Sequence, residues 1–198
     1  MSAPDPHSPF FDVLPPGRYG ATEKNPVRIA MRHGALLQLS ARRGQETAFH
    51  TAIQDRFGLA LPPPGYATTS GALTALWLRP DCWLLQGPTG DETVLARRLA
   101  MGGFASVVDQ THGSAILCLS GERAREVLAR LCRLDLHPRA FGPGRVAGTI
   151  MADISIVLHQ RDDTPEFELL IPSSFAIAFA TALRHAADPI GYEIAGAT

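Results

Sequence analysis

Lysine is almost absent: Lys24 is the only one, and every other basic residue is arginine. A Walker-type phosphate loop and a pyridoxal Schiff base each need a lysine inside a structured site. Lys24 sits in an irregular leader, so neither reading applies. Cysteine is equally scarce. Cys82, Cys118 and Cys132 are odd in number and contain no C-x-x-C pair, which argues against a disulfide framework or a cysteine zinc site. His7, His33, His50, His112, His137, His159 and His185 are too dispersed for an H-x-H or H-x-x-x-H pair, so no metal site is expected. The absence of Gly-x-Ser-x-Gly removes the nucleophile elbow. No signal-peptide h-region and no apolar run near ~18 residues is present, so a reduced, cytoplasmic protein without a membrane segment is expected. A net charge of −1 with a pI near 6.6 gives no general attraction to nucleic acid or an anionic membrane.

What is present is patterning. Ala115–Ser120 alternates with the period of a strand, and after Ser120-Gly121 the period changes. Ala124, Val127, Leu128 and Leu131 then fall on one helical stripe. Ile154, Ile156 and Leu158 alternate again, as do Phe167, Leu169 and Ile171, across the polar turn Asp162-Asp163-Thr164-Pro165. Phe175, Ala178, Phe179, Ala182 and Leu183 mark a further helix face.

The same order occurs earlier. Leu37-Gln38-Leu39-Ser40 matches Leu117-Cys118-Leu119-Ser120 at an offset of 80. Phe49, Ala52, Ile53 and Phe57 form the following helix face, with Gly58 as its stop. Residues 61–71 read as a loop. Strands over 73–78 and 83–86 meet at Arg79-Pro80-Asp81-Cys82, Thr89 and Glu92 have capping-box spacing for a second helix, and 104–109 is the last strand. The second half closes with a strand over 190–194. The fold class is therefore α+β: two repeated β-α-β-β-α-β halves, each a split βαβ unit with a mostly antiparallel sheet and helices packed on it. The expected division is a Pro-rich arm over 1–35, a first half over 36–110 and a second over 111–198. The prolines of the arm argue against a long regular element there. Its apolar Phe10, Phe11, Val13 and Leu14 cover their own domain, dock into a partner or belong to a disordered segment.

Three polar positions merit attention. Asp109, ahead of His112 in the link between halves, is either a carboxylate satisfied by turn N–H groups or a ligand contact in a cleft. Asp153, at the start of an apolar strand, is either a solvent-facing or backbone-bonded group or an acid/base. Trp77, Arg79 and Trp83 are either core and groove residues or a partner interface, since Trp and Arg anchor interfaces. No nucleophile–base–orienter set is visible, so no catalytic residue is assigned.

Val107–Gly113 together with Leu119–Arg125 resembles the aminomethyltransferase (glycine-cleavage T-protein) superfamily. Within it, Trp77–Leu85 and Leu134–Phe141 (Leu-Asp-Leu-His-Pro-Arg-Ala-Phe) resemble the gamma subunits of heterotetrameric sarcosine oxidases. The resemblance covers roughly residues 36–190 and implies an aminomethyltransferase-like, folate-domain fold. It implies a complex with alpha, beta and delta subunits, alpha being the main partner. That complex oxidises sarcosine to glycine with O2, giving hydrogen peroxide and either formaldehyde or, with tetrahydrofolate, methylenetetrahydrofolate. FAD, FMN, NAD and zinc would belong to the other subunits and none to this chain. If any folate contact persists, Asp109, His112 and Asp153 are its candidates. Phe10, Phe11, Trp77, Arg79 and Trp83 are the candidate subunit contacts. Asp153 is the only acidic residue where active transferases carry a Gly-Gly and acidic loop, and the chain stops after two halves. Both departures point away from folate chemistry in this chain.

Overall fold

The leader is where sequence and structure part. The computed structural model describes residues 10, 13–22, 24–88, 90 and 103–195. Within the supposed irregular arm it contains two strands, β1 (Gly17–Tyr19) and β2 (Val27–Arg32). The signal was present: Val27, Ile29 and Met31 alternate and are all buried, with Arg28, Ala30 and Arg32 between them. The last proline of the leader, Pro26, stands just before the strand and does not interrupt it.

The chain continues as β3 (Ala35–Ala41), α1 (Glu46–Phe57), β4 (Ala67–Ser70), β5 (Leu73–Arg79), β6 (Cys82–Gly87) and β7 (Ala105–Asp109). The second half runs β8 (Ser114–Ser120), α2 (Ala124–Ala129), β9 (Val146–Met151), β10 (Ile154–Asp162), β11 (Glu166–Pro172), a 3-10 turn (Ser173–Phe175), α3 (Ala176–Ala187) and β12 (Tyr192–Ile194). The capping-box helix expected after Thr89 lies outside the described residues. Gly58 ends α1 in the left-handed conformation, as expected of a C-terminal glycine.

Two compact units result. Residues 33–114 form one, and the leader through Arg32 joins Ala115 onward in the other. The 33–114 sheet has the order β4-β5-β6-β3-β7, with β3 antiparallel to both β6 and β7. That is the split βαβ order expected of the repeat, extended by β4, which pairs with β5 inside the stretch read as loop. Its core joins Phe49 and Ile53 of α1 to Leu37, Leu39, Trp83 and Leu85.

The other sheet has the order β1-β12-β2-β8-β11-β10-β9. The repeat is legible here too: β9 extends the edge as β4 does. Pro64-Gly65 and Pro143-Gly144 precede the two edge strands with left-handed glycines at φ 79 and 74. The difference is β2. In the 33–114 unit the first and last strands of the repeat, β3 and β7, pair directly. Here β2 lies between their equivalents, antiparallel to β8 and parallel to β12. Its Val27, Ile29 and Met31 join Leu117, Leu119, Leu169, Phe179 and Leu183 in one core. At roughly 1.5–3 kcal/mol for each large apolar side chain buried, this strand is integral to its unit.

The leader is fastened at further points. Phe10 and Leu14 are buried in the same core. Tyr19 stacks on Tyr192 with centroids 5.4 Å apart, and its hydroxyl donates to Pro15 O at 2.9 Å. Arg184 lies over Tyr19, donating Nε–H to Tyr192 Oη and Nη1–H to Val13 O, each at 3.0 Å. A Cβ at Gly191 would stand 2.2 Å from Ala21 O, so only glycine permits that approach.

Candidate functional site

Asp109 ends β7, and its Oδ1 accepts the Thr111 N–H at 2.8 Å. Thr111 Oγ1 in turn accepts the Leu36 N–H at 3.0 Å, and Leu36 O accepts Gln110 N–H at 2.7 Å. The backbone and side-chain bonds from Thr111 hold the Asp109 carboxyl below the usual aspartate range, with nearby His112 adding to the effect against slight desolvation. The carboxylate thus closes a turn, as one of its two sequence readings had it. His112 stands exposed in the same turn.

Asp153 belongs to the other unit. With Ala152 it forms the two-residue turn between β9 and β10, both at positive φ (63 and 46), the geometry that matches the twist of a tight hairpin. It is exposed at the hairpin tip.

The Trp77–Trp83 hairpin divides by depth. Trp83 is buried, its indole N–H donates to Pro62 O at 3.1 Å, and its ring meets Phe49 and His50. Trp77, its cross-strand partner, packs half-buried on the same core. Arg79, Pro80 and Asp81 alone are presented to solvent. Of the leader positions, Phe10 is buried in the core of its own unit, and Phe11 lies outside the described residues.

Sequence reasoning missed a buried charge. Glu168 of β11 is 1% exposed at its side chain, yet carries three cationic or hydrogen-bonding neighbours from two other strands. Arg32 at the end of β2 donates Nη1–H to Oε1. His159, its cross-strand partner on β10, lies with Nδ1 3.1 Å from Oε2, and Arg161 Nε stands 3.7 Å away. Burial pushes the Glu168 carboxyl up, but the His159 hydrogen bond and the Arg32 and Arg161 charges outweigh it and hold the group below its ordinary value. His159, Arg161 and Glu168 share the β10–β11 hairpin, but Arg32 reaches them from β2, 136 residues from Glu168, a pairing that no local spacing displays.

Cys118 on β8 senses the same cluster. A His–Glu pair beside a cysteine has the composition of a nucleophile–base–orienter set, but the electrostatics oppose it. Burial, then the Glu168 and Glu166 charges, push the thiol up to about 12, whereas a nucleophilic cysteine needs a lowered value. Among the described residues, no group of three or more His, Cys, Asp or Glu side chains could hold a metal ion.

Arg125, on α2, explains the Leu134–Phe141 stretch. Its Nη1 donates to the carbonyls of Leu136 and Phe141, the latter at 2.9 Å, and its Nη2 to Gln160 Oε1 at 2.8 Å. The guanidinium lies over the Phe167 ring at 5.2 Å. Leu136 and Phe141 are buried, so the loop is held by two apolar anchors and one arginine. No helix among the described residues is long and apolar enough to cross a membrane.

Known proteins resemble the chain over this whole frame. The model of the sarcosine oxidase, gamma subunit family matches residues 43–188. A sarcosine oxidase subunit gamma from Arthrobacter sp is 35% identical over 124 residues, spanning 61% of this chain and 61% of the relative. One from Corynebacterium sp. (strain U-96) is 32% identical over 141 residues, spanning 70% of this chain and 68% of the relative. Among solved structures, a chain of the heterotetrameric sarcosine oxidase from Corynebacterium sp. U-96, in complex with pyrrole 2-carboxylate, superposes with a TM-score of 0.77. Its identity is 26%, covering 91% of this chain and 94% of that one. The glycine cleavage system aminomethyltransferase T from Bartonella henselae shares the fold, with a TM-score of 0.66 at 14% identity, covering 95% of this chain but 58% of the transferase. The chain belongs to the sarcosine oxidase, gamma subunit family.

Proposed function

We propose that this chain is the gamma subunit of a heterotetrameric sarcosine oxidase, a non-catalytic component whose role is to stabilise the alpha subunit. The complex converts sarcosine, water and O2 to glycine, formaldehyde and hydrogen peroxide. With tetrahydrofolate in place of water, the carbon leaves as methylenetetrahydrofolate. The flavins, NAD and zinc reside on the alpha, beta and delta partners, and the assembly works in the cytoplasm, in keeping with three free cysteines.

The observation that carries this reading is the match along almost the full length of both chains to a component of a heterotetrameric sarcosine oxidase. The site chemistry agrees with it. Asp109 closes a turn, Asp153 tips a hairpin, and the Cys118 thiol is held protonated.

The test is to assemble the complex with a chain carrying Asp109→Asn, His112→Ala and Asp153→Asn together. Sarcosine turnover within twofold of the native complex is expected, while omission of the chain lowers the yield and thermal stability of the alpha subunit. A hundredfold loss of kcat in a complex that still assembles would contradict the non-catalytic reading.

A further inference from the structure

The leader inserts β2 into a strand pair that the 33–114 unit keeps closed. In that unit β3 and β7 bond directly and antiparallel, from Leu37↔Asp109 to Ala41↔Ala105. Their equivalents in the other unit, β8 and β12, are held apart by β2. Because β2 is antiparallel to β8 and parallel to β12, those two strands run antiparallel to each other. Withdrawal of β2 would therefore leave them in the orientation in which β3 and β7 already bond. Closing the gap takes a shift of about one strand spacing, ~4.8 Å. The backbone groups that β2 satisfies on either side would then satisfy one another.

At neutral pH β2 is fastened by apolar contacts on one face and by charge on the other. Val27, Ile29 and Met31 belong to the core. On the opposite face Arg28 lies across from Ser120 of β8 and Glu193 of β12, and Glu193 also pairs with Arg18 of β1 at 3.3 Å. At the end of the strand Arg32 reaches over β8 to the buried Glu168 carboxylate of β11. The titratable and charged groups around that carboxylate are Arg32 from β2, Cys118 from β8, His159 and Arg161 from β10, and Glu166 on its own strand. Glu166 is itself engaged by Arg161 at 2.6 Å.

Acid reverses the sense of this cluster. Glu168 becomes neutral, His159 can only gain positive charge, and the two arginines keep theirs. An anion that drew cations together is then replaced by like charges in one place. Arg32 is 41% exposed at its side chain and can turn to water. It also belongs to the strand whose departure the sheet can close behind.

From this we infer that β2 is an acid-released strand with Arg32–Glu168 as its latch. When Glu168 takes up a proton, the leader strand leaves the sheet, and β8 and β12 pair in its place. This device is independent of the gamma-subunit reading.

The test is hydrogen exchange of the full chain, followed by mass spectrometry from about pH 6 to about pH 3 and corrected for intrinsic rates. On acidification, protection of residues 27–32 is expected to fall at least about tenfold more than that of β10 and β11, while β8 and β12 keep theirs. Arg32→Gln removes the latch from the leader and Glu168→Gln removes it from the sheet. Each should lower the protection of 27–32 already at the higher pH and abolish its acid dependence. Should Glu168→Gln fail to fold, Arg32→Gln, altered at a half-exposed side chain, decides the matter alone. In the native chain, a fall over 27–32 no larger than that of β10 and β11 would overturn the release. Loss of β12 protection together with that of β2 would overturn the re-pairing. An unchanged acid response in a folded Arg32→Gln chain would overturn the latch.

Discussion

Glu168 shows what a single residue contributes when burial and charge act together. Its folded carboxyl lies below the ordinary value of 4.5, so it stabilises the native state at pH values above that point. The contribution is lost as pH falls through the lower, folded value, because the unfolded chain then binds the proton more readily. Replacing it by glutamine at pH 7 leaves Arg32 and Arg161, each about 40% exposed, facing a neutral amide, at an expected cost of about 1–3 kcal/mol. The variant should also lose less stability than the native protein between pH 5 and pH 3. Denaturant titrations at the two pH values decide this, and equal acid sensitivity in both proteins would remove Glu168 from the account. Cys118 gives a second residue-scale prediction. With its thiol pushed up to about 12, it should resist iodoacetamide at pH 8 in the native chain and react on unfolding, as intact mass will show.

At the scale of elements, much was legible. The offset of 80 between Leu37–Ser40 and Leu117–Ser120, the stripes of α1 and α2 and the Asp162–Pro165 turn are displayed directly in the sequence. The third stripe is off-face: Phe175 and Ala178 are exposed, whereas Ala176, Phe179, Ala180 and Leu183 face the core. Strand β2 was missed for a different reason. Its Val27, Ile29 and Met31 alternate plainly, but its place between β8 and β12 depends on partners about 90 and 165 residues away. Ile29→Ala should therefore cost about 2–5 kcal/mol, the range for a core truncation, whereas an arm outside the fold would tolerate it. The β9–β10 turn makes the opposite case. Ala152 sits at φ 46, where an L-residue is strained, so Ala152→Gly should raise stability by about 1 kcal/mol. A lowered melting temperature would show that the turn differs from the one described. The candidate site was legible to the same degree: Asp109 could be placed at a strand end, but the bond from Thr111 that occupies it required the folded turn.

For the whole molecule, the two units carry one repeated architecture to different ends. The 33–114 unit closes its repeat by pairing β3 with β7, whereas the other admits a strand from the leader and a buried ion cluster beside it. The family match begins at residue 43, after β1 and β2, so the strand that distinguishes the two sheets lies outside it. The Cys118 thiol beside the His159–Glu168 pair is pushed up to about 12 by burial and by the Glu168 and Glu166 charges, so that grouping lacks an activated nucleophile. The most direct measurement is purification of the tagged chain from its native host, with the mass and visible spectrum of what is recovered. A yellow multi-subunit assembly that takes up oxygen when given sarcosine is expected. A colourless species with the mass of the single chain, binding tetrahydrofolate on titration, would contradict the gamma-subunit reading.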